Sequence, residues 1–494
     1  MAQPESNERK WVLLLCLLAA IHTFVFSAAF PFFNNVDEQA HFDLIVKYSH
    51  DQIPRRLEPM SAESAQYIVT YGTLEYLGDF HGEPVPPPPW TQPPEKVSRT
   101  LFANESVWKK VINWESAQQP LYYVLAGAWW RLGGWFGFEG GHLLYWLRFL
   151  DLFFVAALVW LSHVAARIIF PERKFIQLAV PALLAFMPQS TFYSIQNDVL
   201  SPLCFGMAFI CLMKFFRAET PDVRLGTVTG LALALTFLAK ISNLPLLAVS
   251  ALALAFKFFQ LVKAGKFRAA TPAILAIIIC AGLPIGGWLA WCKFAFGNFT
   301  GADAKIALLN WTLKPFGEWW HHPIFTPHGF WIFISGLLAT FWRGEFLWHH
   351  QPLASPVGDM IYIGSSIGFV GVAIVALLLH STVLTGSQRQ SLWFSFGCFA
   401  ASVAFLGFLS IIYDFGDCPR PSRELPYFTS GRMILGALIP FLLLFVYGLD
   451  HALSRIKNQW LKPLSLAGII LFMVISEIAI NRTVFSSQYN WFHM

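Results

Sequence analysis

The sequence predicts an all-α, polytopic membrane protein with about eleven transmembrane helices and two long extracytoplasmic loops that carry interfacial helices. Three observations predict it. Of 494 residues, 56% are hydrophobic and 13% charged, at a mean hydropathy of +0.52, a composition suited to lipid as solvent. The apolar residues gather in runs near the roughly 20 residues that a helix needs to cross a bilayer. The short loops between runs are alternately basic and nearly free of basic residues, as the positive-inside rule requires. Twenty Trp and 48 Phe fit lipid-facing surface and interfacial aromatic belts.

The first run, 11–33, follows Arg9 and Lys10 and has no convincing small-residue cleavage site before Asp37, the pattern of a retained signal anchor. The remaining runs are 147–170, 175–195, 199–216, 224–241, 243–262, 271–295, 358–380, 391–413, 431–449 and 462–480. With the N-terminus in the cytoplasm, the short inside loops hold Arg167, Arg173 and Lys174, then Arg217 and Arg224, then Lys263, Lys266 and Arg268. Arg389 follows, and then Arg455, Lys457 and Lys462, whereas the outside connections at Asn197-Asp198 and near Lys240 are almost bare of basic residues. Two further apolar stretches, 121–136 with Arg131 and 330–341 between His328 and Arg343, would invert every later loop if they crossed. Each is therefore predicted as a helix lying in the outer interface. This leaves long outer loops at 34–146 and 296–357 within one transmembrane domain, 1–494. The stretch Pro84-Val85-Pro86-Pro87-Pro88-Pro89-Trp90 reads as an extended arch, since proline excludes it from a helix interior or central strand.

Several classes of function are excluded. The formal charge of +5 resides mostly in inter-helical loops, a topology signal and no basis for nucleic-acid binding. Cys16, Cys204, Cys211, Cys280, Cys292, Cys398 and Cys418 lack CxxC spacing, so neither a zinc site nor a disulfide framework is indicated. There is no Gly-rich phosphate loop, no internal repeat, and no matched pair of broken helices of the kind inverted-repeat transporters contain.

The residues that can carry chemistry lie at membrane boundaries. In Asn34-Asn35-Val36-Asp37-Glu38-Gln39-Ala40-His41, two acids and a histidine follow the first span, where charge needs a reason. The local reading has Asn35 capping a helix and Glu38 closing a capping box, with both acids favoured by the helix N-terminus. The chemical reading makes Asp37 a general base, with Glu38 and His41 beside it; a helix N-terminus would keep such a carboxylate ionised. Asp198 can cap the next span or form a second wall of the same cleft. Lys240 and Arg432 are cations on the side that the charge rule disfavours; they snorkel to headgroups or bind an anion such as a lipid phosphate. Arg432 follows the polar loop 418–429 with Arg420 and Arg423, and Arg343 in Phe341-Trp342-Arg343-Gly344-Glu345 is a third candidate. His321-His322, His349-His350 and His328 invite a zinc reading, but adjacent histidines on a helix point about 100° apart and make a poor ligand pair. Tyr122 and Tyr123, after Gln118-Gln119-Pro120, fit an interfacial belt or a sugar-stacking surface equally well.

The set Val36-Asp37-Glu38-Gln39-Ala40-His41, Gln119-Pro120-Leu121-Tyr122-Tyr123 and the stretch from Pro188 to Asp198 resembles the GT-C superfamily of membrane glycosyltransferases. Together with Ala339-Thr340-Phe341-Trp342-Arg343-Gly344-Glu345-Phe346 and Ser430-Gly431-Arg432 ahead of Pro440, it is similar over nearly the whole chain to the bacterial membrane family called domain of unknown function 2142. The resemblance implies an enzyme of the bacterial cytoplasmic membrane with an extracytoplasmic active site. It would take sugar from a polyprenyl-phosphate donor and pass it to a glycan, lipid or protein acceptor. It implies Asp37 as base, Glu38 as the alternative, and Arg432 or Lys240 near the donor phosphate. Two departures bear on the donor: Asn35-Val36 stands where relatives often have Pro before the acids, and Arg432-Met433 where they often have Arg-Tyr. No nucleotide need bind, and a divalent metal is left open. The rival readings are a transporter or flippase of lipid-linked glycans, and an envelope assembly partner without activity.

Overall fold

In lipid a chain must close its backbone hydrogen bonds within itself, and long apolar runs do so as helices. The computed structural model describes residues 6–73, 85–349, 351–379, 384–416, 418, 421–454 and 456–494. The N-terminal half contains α1 (Ser6–Ala29), α2 (Glu38–Ser49), α3 (Ala62–Tyr71), α4 (Pro94–Trp108), α5 (Leu121–Trp135), α6 (Gly140–Arg148) and α7 (Leu150–Ile169). It continues with α8 (Lys174–Ala185), α9 (Leu200–Arg217), α10 (Val223–Ala239), α11 (Leu244–Lys263) and α12 (Phe267–Phe296). The rest comprises α13 (Ala302–Leu308), α14 (Pro327–Arg343), α15 (Pro356–Leu378), α16 (Gly386–Ile412), α17 (Leu438–Leu453), α18 (Leu461–Ile480) and α19 (Arg482–Phe485). Two-residue antiparallel ladders join Thr312–Leu313 to Tyr413–Asp414 and Leu347–Trp348 to Gln351–Pro352.

Among the described residues, nine helical segments are long and apolar enough to cross a membrane: Asn7–Ala29, Gly140–Ile169, Asn197–Arg217, Ile241–Lys263, Phe267–Phe296, Pro356–Leu378, Gly386–Ile412, Gly431–Leu453 and Leu461–Ile480. Lys174–Ala185 and Val223–Ala239 are shorter apolar helices. The segment Gly431–Leu453 is almost wholly buried, and α8, α15 and α16 pack around α17. At the periphery, α12 and α18 are mostly exposed, as lipid-facing helices are.

Three local expectations are corrected. The run expected to be helical over 175–195 stops at Ala185; Pro188 then disfavours helical conformation in the residue before it, and a 3₁₀ turn, Ser190–Tyr193, follows. The second span was expected to start at 147, but α6 carries helix back to Gly140. The proline stretch is not extended throughout, because Pro89–Thr91 forms a 3₁₀ turn in which proline occupies the first position, where its missing N–H is harmless. Pro84 lies outside the described residues, as do His350, Arg420 and Arg455.

The long loops form helices where interfacial ones were expected, α5 in the first and α14 in the second. α2 packs on α3 and α5, and α3 on α4. The C-terminal segment closes on this layer: Tyr489 donates to Pro86 O at 2.8 Å, and its ring meets Trp90 edge-on. The first loop and the C-terminal tail thus share one end of the bundle, where three spans begin in 3₁₀ turns, Asn197–Val199, Ile241–Asn243 and Gly431–Ala437.

Candidate active site

The site begins with an unusual backbone. Asp37 is the N-cap of α2 at φ 65°, a left-handed conformation that Asp tolerates better than most residues. Its side chain makes no capping bond. The expected capping box is therefore absent: Glu38 is the first residue of the helix, not the third, and Asn35 directs its amide to Ser194 Oγ at 2.9 Å. Turned from the helix axis, the Asp37 carboxylate accepts from Trp114 Nε1 at 3.0 Å and from Arg432 Nη2 at 2.6 Å.

Arg432 is the hub. Besides Asp37, its Nη1 lies 3.5 Å from Asp198 Oδ2 and its Nε 3.3 Å from Glu345 Oε2. Asp198, wholly buried, also meets Lys240 Nζ at 2.5 Å. Glu345 accepts from Ser430 Oγ at 2.9 Å. Asp37, Asp198, Lys240 and Arg432, all singled out in the sequence, are thus brought into one cluster from segments spread over nearly 400 residues. Burial disfavours charge on Asp37, but Arg432, then Lys305 and His41, outweigh it and hold the carboxyl well below its ordinary range. Burial lowers the Lys240 ammonium against the pull of Asp198, and burial raises the Glu345 carboxyl despite Arg432.

Two glycines fix the wall that holds Arg432. Gly431 N donates to Thr340 Oγ1 at 2.9 Å, and any Cβ at Gly431 would overlap the Phe341 backbone of α14. Gly344, at φ 84°, turns the chain from α14 toward Glu345, and a Cβ there would collide with Ser190 Oγ.

His41, one turn after Asp37, is almost fully buried, with Nδ1 2.7 Å from the Tyr123 hydroxyl. Burial, against the opposing pull of Glu115, lowers it to about 4, so it is a neutral imidazole at pH 7. Glu115, absent from the sequence reading, pairs with Lys305 Nζ at 2.5 Å and accepts from Gln118 Nε2. Burial opposes its charge, and Lys305 overcomes that opposition to keep the carboxyl ionised. Asp37, His41 and Glu115 each offer a donor atom within 4.8 Å of the others. An O,N,O set of this kind suits a divalent cation, although Arg432 and Lys305 already neutralise its two carboxylates. It is the only such trio among the described residues.

Other candidates lie elsewhere. Glu38 and Arg148, each 1% exposed, form an ion pair at 2.6 Å, and Glu38 also accepts from Ile195 N at 3.0 Å. Tyr122 turns to that side, its hydroxyl at the backbone of Gln196, while Tyr123 turns to His41. Arg343 stands apart, paired with Asp359 at 2.9 Å, and it is its neighbour Glu345 that reaches the cluster. His321 and His322 contact the carbonyls of Gly317 and Pro426. Glu115, Lys305, Trp114 and Glu345 are the residues that sequence reasoning missed. Glu345 stood within a quoted motif and Glu115 three residues before Gln118, so an acid close to each motif was the available signal.

Among solved structures, the chain is similar to that of ArnT from Cupriavidus metallidurans bound to undecaprenyl phosphate, with a TM-score of 0.34 and 10% identity, covering 90% of this chain and 79% of that one. No curated protein matches the sequence. The model of the family described as "Predicted membrane protein (DUF2142)" matches residues 18–416, most of the chain, and this polytopic protein belongs to that family.

Proposed function

We propose that the protein is an inverting membrane glycosyltransferase of GT-C type, which moves a sugar from a polyprenyl-phosphate donor to an acceptor of the cell envelope on the extracytoplasmic face. The observation that carries this reading is the Asp37–Arg432–Asp198–Lys240 cluster at one end of the spans, with Asp37 still 22% exposed. A carboxylate beside two cations is what displacement of a phosphate by a hydroxyl needs. Asp37 takes the acceptor proton, the acceptor oxygen attacks the anomeric carbon, and the bond from that carbon to the phosphate oxygen breaks. Arg432 and Lys240 stabilise the charge that develops on the leaving phosphate, an effect that is large where water is scarce. Tyr123 and Trp114 line the carboxylate's surroundings, and the apolar spans hold the lipid portion of the donor in the bilayer of the cytoplasmic membrane. The resemblance in sequence motifs supports the same reading.

The test is transfer by purified protein in nanodiscs, supplied with a panel of polyprenyl-phosphate sugars, with released polyprenyl phosphate as the readout. Turnover that disappears in Asp37→Asn supports the proposal. Activity undiminished in Asp37→Asn removes the base. Translocation of a labelled lipid-linked sugar across liposomes without release of polyprenyl phosphate would instead establish the flippase reading.

A further inference from the structure

Arg432 faces more negative charge than it satisfies. Its Nη2 hydrogen-bonds Asp37, but Nε and Nη1 are buried without a hydrogen-bond partner, lying 3.3 Å from Glu345 and 3.5 Å from Asp198. The neighbouring Glu115–Lys305 pair is neutral as a whole, so among the described residues three carboxylates, Asp37, Asp198 and Glu345, face two further cations, Arg432 and Lys240. An arriving phosphate adds one more negative charge to a site that is already negative and poorly hydrated. Either the anion is excluded, or one carboxylate gives up its charge.

The three carboxylates are not equivalent. Asp37 has Arg432 and Trp114, and Asp198 has Lys240 and Arg432. Glu345 has only the Ser430 hydroxyl and the Arg432 Nε that it does not hydrogen-bond. Its near neighbour Arg343 is turned away to Asp359, so among the described residues no second cation pairs with Glu345. We infer that Glu345 sets the charge of the ligand this cluster accepts: a singly charged phosphodiester binds at Arg432 together with one proton from solvent, which Glu345 takes up. This rests on the donor reading above and names the residue that lets the donor's phosphate in. Burial also raises the Glu345 carboxyl while Asp37 is held down, so Glu345 is the carboxylate readiest to be neutralised. No bond of the ligand changes in this step; the proton comes from bulk water and leaves when the ligand does. The same balance opposes the doubly charged phosphate monoester, which favours release of the lipid phosphate after transfer.

The experiment uses the full chain in nanodiscs and farnesyl methyl phosphate, a phosphodiester whose single charge is fixed from about pH 5 to 9. Calorimetric titration from about pH 5.5 to 8.5, in two buffers of different ionisation heat, counts protons taken up on binding. The expected result is an affinity that weakens by up to about tenfold per pH unit above the ordinary range of Glu345, with proton uptake approaching one per ligand. Glu345→Gln should bind with a flat pH profile and no uptake. Binding without proton uptake, or a pH slope that survives in Glu345→Gln, overturns this inference and leaves the donor reading standing. No binding by the wild type at any pH overturns both. If Glu345→Gln does not fold, the proton count on the wild-type protein decides alone.

Discussion

Replacing Glu38 separates the two adjacent acids that the sequence could not tell apart. Glu38 and Arg148 are both 1% exposed and meet at 2.6 Å. Removing one partner of such a pair leaves a buried, uncompensated charge, a cost of about 3–5 kcal/mol. Arg148 keeps contacts with the carbonyls of Ser27, Phe30 and Pro31, and it lies 4.4 Å over the Phe32 ring, which places Glu38→Ala toward the lower end. The orphaned Ile195 N–H adds about 1 kcal/mol. The expectation is a loss of about 4 kcal/mol for Glu38→Ala, and less for Glu38→Gln, whose amide oxygen still accepts from Arg148 and Ile195. Thermal unfolding of purified protein in detergent reads both losses, and turnover per folded molecule reads the effect on chemistry. Folded Glu38→Gln protein should transfer sugar nearly as well as wild type. A Glu38→Gln protein of unchanged stability and no turnover would refute this reasoning and return Glu38 to the chemistry.

Asp37→Asn should leave stability near normal, since Arg432 retains Asp198 and Glu345, while transfer falls by about 10²-fold or more. Arg432→Lys should lose most activity despite its charge, because an ammonium cannot match the planar fork that meets Asp37 and its neighbours; near wild-type turnover would reduce Arg432 to a structural counter-ion of these carboxylates. Single cysteines at Thr91 and Glu424, both exposed, should react with an impermeant thiol reagent in intact cells, and one at Glu219, 84% exposed, only after lysis; the reverse pattern would invert the topology. Stability should fall with acid: His41 titrates at about 4 when folded, against 6.5 for an unperturbed histidine, so the unfolded state binds its proton first. The loss begins as pH drops below about 6.5 and reaches about 3 kcal/mol near pH 4, and a His41→Gln variant should show a shallower decline in melting temperature.

The helical architecture was legible because lipid imposes it: apolar length and loop charge are written locally, and most expected runs lie within helices. The end of the third run was misread because Phe186, Met187, Phe192, Tyr193 and Ile195 are apolar, while Pro188 and the 3₁₀ turn after it decide the backbone. The site was half legible. Asp37, Asp198, Lys240 and Arg432 announced themselves as charges at span ends, where charge is costly. Glu115, Lys305 and Glu345 did not, because an acid or lysine in a polar loop is ordinary until folding buries it. Nor could sequence show that Glu38 serves Arg148 or that Asp37 adopts φ 65°, since both depend on partners more than a hundred residues away or on tertiary override of a good capping pattern.

Gly431 and Gly344 have a mechanical consequence. With no side chain at either position, α14 lies against the turn that carries Arg432, and Gly344 lies against Ser190. At both places the segments meet too closely to admit a Cβ, so neither can shift toward its neighbour. The segment opposite is keyed in the same way, since Gly301, just before α13, meets Ala117 too closely to admit a Cβ, and Glu115 is tied to α13 through the Lys305 ion pair, whose lysine is 31% exposed. A side chain at Gly431, Gly344 or Gly301 would therefore force these segments apart and displace the charged groups that they carry.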